Sequence, residues 1–293
     1  NMKQLSLEEK KSIQAQLQAY VAKYPSQAKA VNSLTGVSVG TISVILNGKF
    51  DGVSDEMFAR IRAQVAPVGA SDWNLCETTA FRELSAIFED ARQNKNVAWI
   101  VGSAGIGKST AARAYAASHE NVFHICCSED MQRGDFIREL AQKIGIKSNK
   151  ESLRERLQIV TDQLKTLDNP LLIFDEGDKL MDCVFYYFIS IYNVLEGHCG
   201  IVFLSTEYIK RRMENGLAYN KKGYDEIFSR VCRRFIDLTP VTAHEVDALC
   251  RANGLDDDRK IAEVVKDAST CRFDLRRVRK AVHKTRRIAE IRG

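Results

Sequence analysis

Little proline, little tryptophan and no long apolar run occur in this sequence. Its 293 residues include 4 prolines and 2 tryptophans, which excludes a proline-rich linker protein or a collagen-like repeat. No uninterrupted apolar stretch is long enough for a membrane span, so we expect none. The first methionine is Met2, after Asn1, and no charged and then apolar leader follows it. We therefore expect the natural start at Met2, no secretion and a cytoplasmic location.

The 8 cysteines lack the spacing of a metal or redox site. No Cys-x-x-Cys pair and no Cys/His zinc pattern is present. Several cysteines lie in apolar stretches, so we expect them to be small core residues in a reducing compartment. They are Cys76, Cys126, Cys127, Cys183, Cys199, Cys232, Cys250 and Cys271.

Charge is spread unevenly along the chain. The net charge of +5 is modest, and the hydrophobic share of 45% is that of an ordinary globular protein. Residues 276–293, however, hold eight Lys or Arg against one acid, Glu290. Such a basic end favours a polyanionic partner, most often nucleic acid, although a solvated helix face gives the same composition.

Composition divides the chain into three regions and a linker. Residues 2–66 show short amphipathic helical patterns, and residues 67–77 contain a small-residue stretch with Pro67 and Gly69 that indicates a linker. Residues 78–240 alternate short β-branched runs with helical segments, which predicts an α/β core around a parallel sheet. Residues 241–293 are helical again. The predicted strands are 97–101, 122–126, 171–175, 201–205 and 235–238.

A complete phosphate-binding loop follows the first predicted strand and opens a helix, which is the context that this motif requires. Its glycines let backbone N–H groups turn toward phosphate oxygens, and the helix dipole adds positive potential. Lys108 is predicted to bind the β and γ phosphates of ATP, and Ser109 to bind Mg²⁺. The predicted nucleotide-binding residues are Gly102, Ser103, Ala104, Gly105, Ile106, Gly107, Lys108, Ser109 and Thr110.

A second apolar strand, Pro170 to Phe174, ends in Asp175 and Glu176. Ligands bind at the carboxyl ends of strands in open α/β sheets. We therefore predict that Asp175 holds Mg²⁺ and that Glu176 acts as the general base toward the attacking water.

With these two motifs in place, residues 78–282 resemble the AAA+ class of P-loop ATPases. The resemblance implies that a polar residue at the end of the next strand senses the γ-phosphate. That strand ends in Ser205-Thr206, and we favour Thr206, with Ser205 as the second candidate.

The same resemblance implies two functional arginines. Phe228-Ser229-Arg230 is similar to the Ser-Arg element of the class, so Arg230 is the candidate arginine finger, with Arg233 and Arg234 as rivals. Asp274-Leu275-Arg276 is similar to the lid motif without its glycine, which makes Arg276 the candidate lid sensor. Each arginine has the alternative interpretation of a surface charge or ion pair. A finger acts on a neighbouring subunit's nucleotide, so it implies an oligomer.

Residues 31–48 resemble a repressor-type helix-turn-helix. Gly36 is suited to the turn, Ser38 to capping the second helix, and Asn47-Gly48 to ending it. The buried positions would be Val31, Leu34, Val37, Ile42 and Ile45. Asn32 departs from the motif, which usually has a small residue there.

The second helix of this motif has little capacity to read bases. It offers Val39, Gly40 and Thr41 near its start, where Arg, Lys, Asn or Gln would pair with base edges. We expect weak sequence preference, with affinity from phosphate contacts by Lys23, Lys29 and Lys49. The alternative is a small helical interaction domain that never touches DNA.

In order and size these parts resemble the transposition protein B family of phage Mu. The resemblance implies an ATPase that assembles as a helical or ring-like oligomer on double-stranded DNA with little sequence specificity. It also implies that the protein marks that DNA as a transposition target and stimulates a transposase, which triggers hydrolysis. Two alternatives remain: a replication-initiator or helicase-loader-like ATPase, and a nucleotide-switched transcriptional regulator.

Overall fold

The computed structural model of the protein describes residues 5–65, 73–147 and 151–292. The expected start at Met2 and residues 67–72 of the expected linker lie outside these ranges. Within them, the first four helices, α1 to α4, are Leu7–Val21, Gln27–Asn32, Val39–Leu46 and Asp55–Val65. The last three, α12 to α14, are Ala243–Ala252, Asp258–Ser269 and Leu275–Arg292.

Between these two helical regions, helices alternate with strands. Helices α5 to α11 are Thr79–Asn94, Lys108–Ser118, Arg133–Ile144, Leu153–Lys165, Asp182–Leu195, Tyr208–Ala218 and Tyr224–Arg230. Strands β1 to β5 are Val97–Val101, Val122–Cys126, Leu171–Asp175, Gly200–Ser205 and Ile236–Asp237. The bounds of the first four strands match the sequence-based prediction to within one residue.

The five strands form one parallel sheet in the order β2-β3-β4-β1-β5. This arrangement confirms the predicted α/β fold with a parallel sheet between helices. The register pairs Cys126 with Asp175 and Val101 with Ser205. The last residues of β1, β2, β3 and β4 therefore meet at one edge of the sheet.

The sheet is covered on both faces, which explains why β3 and β4 are continuous apolar runs. On one face, Trp99 stacks on Phe203 with ring centroids 4.4 Å apart, and Phe174 lies 5.2 Å from Phe203. On the other face, Ile100 and Val202 pack in one cluster with the helices α5, α6 and α12 to α14. Each large side chain buried in this way contributes about 1.5–3 kcal/mol to stability.

Part of the expected linker is packed rather than free. Asn74 and Asn253 exchange hydrogen bonds, from Asn74 N–H to Asn253 Oδ1 at 2.7 Å and from Asn253 Nδ2 to the Asn74 carbonyl at 3.0 Å. Trp73 is buried and stacks on His283 of α14. Trp73 and Asn74, which belong to the expected linker 67–77, therefore pack against the C-terminal helices.

The N-terminal helices have their own apolar core. Of the predicted buried positions, Val31, Leu34, Ile42 and Ile45 are buried and Val37 packs against them. The Ser38 hydroxyl accepts the Thr41 N–H at 3.0 Å and caps α3. Gly36 lies in the left-handed region with φ of 68°, where glycine is favoured over other residues.

All eight cysteines are free thiols. Cys127, Cys199 and Cys250 are buried as expected, whereas Cys126 and Cys232 are exposed. Among the described residues, no helix combines the length and the apolar character needed to cross a membrane.

Candidate nucleotide-binding site

A cavity of about 320 Å³ opens at the carboxyl edge of the sheet. It lies between the loop after β1, the ends of β3 and β4, and the start of α14. Segment 73–78 closes one side of it. Its walls differ in character, since one end carries Lys108, Asp175 and Glu176 and the other carries apolar side chains. The cavity therefore suits a ligand with one ionic and one apolar end.

The loop after β1 is shaped by two glycines in the left-handed region. Gly105 has φ of 80° and Gly107 has φ of 105°. Gly107 precedes α6 without a side-chain cap, so the first N–H groups of the helix are available to an anion. The residues of this loop that line the cavity are Ala104, Gly105, Ile106, Gly107, Lys108, Ser109 and Thr110.

Gly102 and Ser103 contribute to the site through their carbonyl groups. The Lys108 Nζ donates hydrogen bonds to the Gly102 carbonyl at 2.7 Å and the Ser103 carbonyl at 3.0 Å. Burial lowers the pKa of Lys108, and the negative charges of Asp175 and Asp178 offset only part of that shift. A phosphate at this ammonium would stabilise its charged form.

Asp175 is held in its ionised form. Its side chain is 2% exposed, and it accepts a hydrogen bond from His124 Nε2 at 3.2 Å and one from the Glu176 N–H at 3.0 Å. Burial raises the pKa of Asp175, whereas the hydrogen bonds from His124 and Ser109 lower it. The lowering is larger than the effect of burial, so the net shift of the pKa is downward. An anionic carboxylate beside the Ser109 hydroxyl is an oxygen donor set that fits Mg²⁺.

Glu176 has an unusual backbone for a residue with a side chain. Its φ is 57°, in the left-handed region, which costs about 1–3 kcal/mol and is found mainly at functional sites. The side chain lines the cavity, and Oε2 lies 2.7 Å from the Lys179 Nζ. The Cys126 Sγ is 4.0 Å from the same oxygen.

The geometry distinguishes Thr206 from Ser205. The Ser205 hydroxyl accepts the Trp99 indole N–H at 2.8 Å and is 1% exposed. The Thr206 hydroxyl donates to Asp178 Oδ2 at 2.5 Å beside the cavity. Both residues line the cavity, but the Thr206 hydroxyl contacts a carboxylate there, whereas the Ser205 hydroxyl accepts the Trp99 N–H.

Sequence reasoning missed both His124 and Asp178. Asp178 follows Glu176 by two residues, and this short spacing to two proposed catalytic carboxylates is the signal that would have found it. His124 is in β2, the strand beside β3, and only the register of the sheet brings it to Asp175.

The arginine-finger candidates lie outside the cavity. Arg230 donates to Asn193 Oδ1 at 2.9 Å, and its guanidinium lies 5.3 Å from the Tyr192 ring centroid. Arg233 pairs with Asp225 at 2.8 Å, and Arg234 is exposed. None of the three contacts the site of its own chain, so any role at a nucleotide requires a second copy of the chain.

Arg276 lines the cavity, as the lid assignment requires. The adjacent Arg277 is directed elsewhere and pairs with Asp267 at 2.6 Å. The backbone around Arg276 touches the phosphate loop, since the Leu275 N–H donates to the Gly105 carbonyl at 3.0 Å. Asp274 packs so closely that a Cβ on Gly105 would lie 2.2 Å from Asp274 Oδ1.

The far end of the cavity is apolar. Trp73, Leu75, Phe81 and Leu249 line it, and the Arg279 guanidinium lies 5.8 Å from the Trp73 ring centroid. Flat apolar walls of this kind suit an aromatic base.

This fold and this site define an ATP-binding P-loop domain. A family model described as "AAA domain" matches residues 91–213, which include the phosphate loop and the Asp175-Glu176 strand. The chain contains an AAA domain. The particular relatives it resembles are transposition proteins.

The chain is 23% identical over 240 residues to the Mu-like prophage FluMu DNA transposition protein B of Haemophilus influenzae, covering 79% of this chain and 81% of that protein. It is 24% identical over 181 residues to the ATP-dependent target DNA activator B of Escherichia phage Mu, covering 57% of this chain and 55% of that protein. The alignment thus spans little more than half of the phage Mu protein. The chain is a distant homologue of the Mu transposition B proteins.

The fold is also similar to that of the Aeropyrum pernix ORC1 protein, whose structure was solved in complex with DNA. The TM-score is 0.55 at 17% sequence identity, and the match covers 78% of this chain and 64% of that one. At this identity the likeness concerns the fold.

Proposed function

We propose that this protein is an ATPase that binds duplex DNA in its ATP state and presents that DNA as a target for transposition. The observation that carries the proposal is the arrangement of Lys108, Asp175, Glu176 and Thr206 around one cavity. The chain is also a distant homologue of a protein named for DNA transposition and of one named for activating target DNA.

Each residue of the cavity has a separate role in the proposed hydrolysis of ATP. The N–H groups at the start of α6 and the Lys108 ammonium bind the β and γ phosphates. Ser109 and Asp175 would hold Mg²⁺, which supplies charge neutralisation on the phosphate oxygens when bound. Glu176 accepts a proton from water as that water attacks the γ-phosphorus, and the products are ADP and inorganic phosphate. We assign contacts with the γ-phosphate to Thr206 and Arg276, which both line the cavity.

Assembly follows from the candidate finger. Arg230 is partly buried beside Asn193 and Tyr192, outside the cavity of its own chain. In the proposed oligomer it, or its rivals Arg233 and Arg234, reaches the triphosphate of an adjacent subunit and offsets negative charge there. Loss of the γ-phosphate removes that bridge, so the oligomer and its grip on DNA weaken together.

The basic helix α14 supports DNA as the polyanion. Lys280, Lys284 and Arg287 are exposed and follow one another at spacings of four and three residues, which places them on one helix face. Such a row of cations attracts phosphate without reading bases. Low base specificity suits a protein that accepts many target sequences.

Electron microscopy with long duplex DNA and Mg²⁺ tests the proposal. With ATP we expect filaments or rings on DNA of unrelated sequences, and with ADP we expect mostly bare DNA. A chain that stays monomeric with ATP and DNA at high concentration contradicts the proposal. Tight binding of one specific sequence without ATP would instead support a transcriptional regulator.

A further inference from the structure

The N-terminal helices are docked on the AAA domain through the lysines expected to bind phosphate. The Lys23 Nζ donates to the Ala117 carbonyl in the last turn of α6, and the Lys29 Nζ donates to Gln163 Oε1 of α8. Burial lowers the pKa of Lys23, which agrees with its position inside this contact. By contrast, Lys49 is exposed.

Hydrogen bonds from the end of α2 and the following turn extend the contact. The Asn32 Nδ2 donates to the Gly145 carbonyl at 3.1 Å, and the Gln142 Nε2 donates to the Thr35 hydroxyl at 2.9 Å. The Tyr24 hydroxyl donates to the Lys143 carbonyl at 3.3 Å. Asn32 is the position at which this helix-turn-helix departs from the usual small residue. Its amide is used to bind the AAA domain.

The two backbones approach each other closely at Gly145. A Cβ at this position would lie 2.4 Å from the Lys29 carbonyl oxygen, a distance that no side chain tolerates. Gly145 also ends α7 with φ of 81°, so glycine is required there for two reasons. The fit therefore depends on the backbone shape of both partners and not on mobile side chains alone.

We propose that this contact is an autoinhibitory lock, in which the AAA domain withholds Lys23 and Lys29 from DNA until the N-terminal helices undock. A lysine that donates to a protein carbonyl or amide must give up that hydrogen bond before it can neutralise a phosphate. In the docked form the N-terminal module offers Lys49 but neither Lys23 nor Lys29. Undocking adds two cations to its DNA-binding surface.

This inference rests on the proposed DNA binding, and the salt dependence of affinity tests it. Each phosphate neutralised on duplex DNA adds about 0.9 to the slope of log affinity against log salt concentration. The slope is measured by fluorescence anisotropy with a labelled duplex and full-length protein. In the wild type we expect Lys49→Ala to lower the slope by about one. The double variant Lys23→Ala with Lys29→Ala removes both withheld lysines, so it should leave the wild-type slope unchanged whether or not the module undocks.

An undocked variant completes the experiment. The double variant Asn32→Ala with Gln163→Leu removes two of the docking hydrogen bonds and leaves the charge of the chain the same, so a change in the slope cannot come from an added or removed charge. We expect its slope to rise by about two, and Lys23→Ala or Lys29→Ala in that background to remove about one each. Faster amide hydrogen exchange in residues 23–35 reports undocking, and Gly145→Val serves as a second, steric variant.

The outcomes separate the lock from the proposed function. Failure of the wild type to bind DNA with ATP contradicts the function. The lock is overturned if the wild type binds DNA and replacing Lys23 or Lys29 by alanine in that background lowers its salt slope. A slope that does not rise in either undocking variant overturns it as well.

Discussion

The carboxylate of Glu176 and the ammonium of Lys179 form an ion pair, with Oε2 and Nζ 2.7 Å apart. Glu176 is the proposed general base, and Lys179 lies in the adjacent groove with Met181 and Glu129. An ion pair on a general base competes with the water that the base must bind. The pair is partly exposed, so it restrains Glu176 only weakly.

We predict that Lys179→Met raises kcat for ATP hydrolysis by a factor of about 1.4 to 5, because an exposed pair contributes about 0.2–1 kcal/mol. KM for ATP should stay the same, since Lys179 lies outside the set of residues that line the nucleotide cavity. Steady-state kinetics without DNA measures both. Lys260→Met, which breaks a comparable pair with Asp257 on α13, is the matched control. A kcat at or below the wild-type value would show that Lys179 does not restrain Glu176.

A second measurement on this pair does not depend on turnover. Burial raises the pKa of the Cys126 thiol, as do Asp175 and Glu176, and the Lys179 charge opposes them. Removing that charge should raise the thiol pKa further and slow alkylation of Cys126 by iodoacetamide at neutral pH. Mass spectrometry of the Cys126 peptide gives the rate. Equal alkylation rates of Cys126 in the wild type and in Lys179→Met would show that the Lys179 ammonium does not lie near Glu176 and Cys126 in solution.

Glu176→Gln should bind ATP with near wild-type affinity and lose at least about a hundredfold in kcat, because an amide cannot accept the proton of the attacking water. ATP then persists, and the DNA-bound form should outlive that of the wild type. The measurements are single-turnover hydrolysis and the dissociation rate from labelled duplex. Unimpaired hydrolysis would remove Glu176 from the proposed role.

Lys108→Ala should abolish ATP binding and, with it, ATP-dependent DNA binding. The loss of the ammonium removes a charge-assisted contact to the phosphates. Calorimetry with ATP and anisotropy with duplex DNA test the two consequences separately. If the variant binds DNA as the wild type does with ATP, the nucleotide does not control DNA binding.

Ser205→Ala should lower stability, whereas Thr206→Ala should lower kcat. Ser205→Ala leaves the buried Trp99 N–H without its acceptor, which costs about 1–3 kcal/mol of stability. Thr206→Ala should unfold at nearly the wild-type denaturant concentration and lower kcat, since its hydroxyl lies beside Asp178 at the cavity. Urea unfolding and ATPase assays give the comparison. Equal stability losses in the two variants would contradict the assignment.

Local sequence patterns predicted the parts of the site that are built by single elements. The phosphate loop needs its glycines at Gly105 and Gly107, and a buried strand must end at Asp175, so both are visible in the sequence. All five strands were placed to within one residue at each end for the same reason, because a short apolar run between breakers usually forms a buried strand in an α/β chain.

Contacts between segments that are distant in the chain leave no local pattern in the sequence, so they could not be predicted. The pairing of Asn74 with Asn253 joins residues 179 positions apart, and neither asparagine has a distinctive neighbourhood in the sequence. His124 reaches Asp175 only through the parallel register of β2 and β3. Nothing in the sequence indicated that Lys23 and Lys29 contact the AAA domain, because composition shows a charge but not the surface it faces.

Helix α14 begins at the phosphate loop and ends far from it. Its first residue is tied to the loop by the hydrogen bond from Leu275 N–H to the Gly105 carbonyl, and its 18 residues span roughly 27 Å. A rotation of about 10° at that fixed end would swing the opposite end by about 5 Å. A displacement of the phosphate loop would therefore be transmitted through this hydrogen bond to the helix that carries Lys280, Lys284 and Arg287.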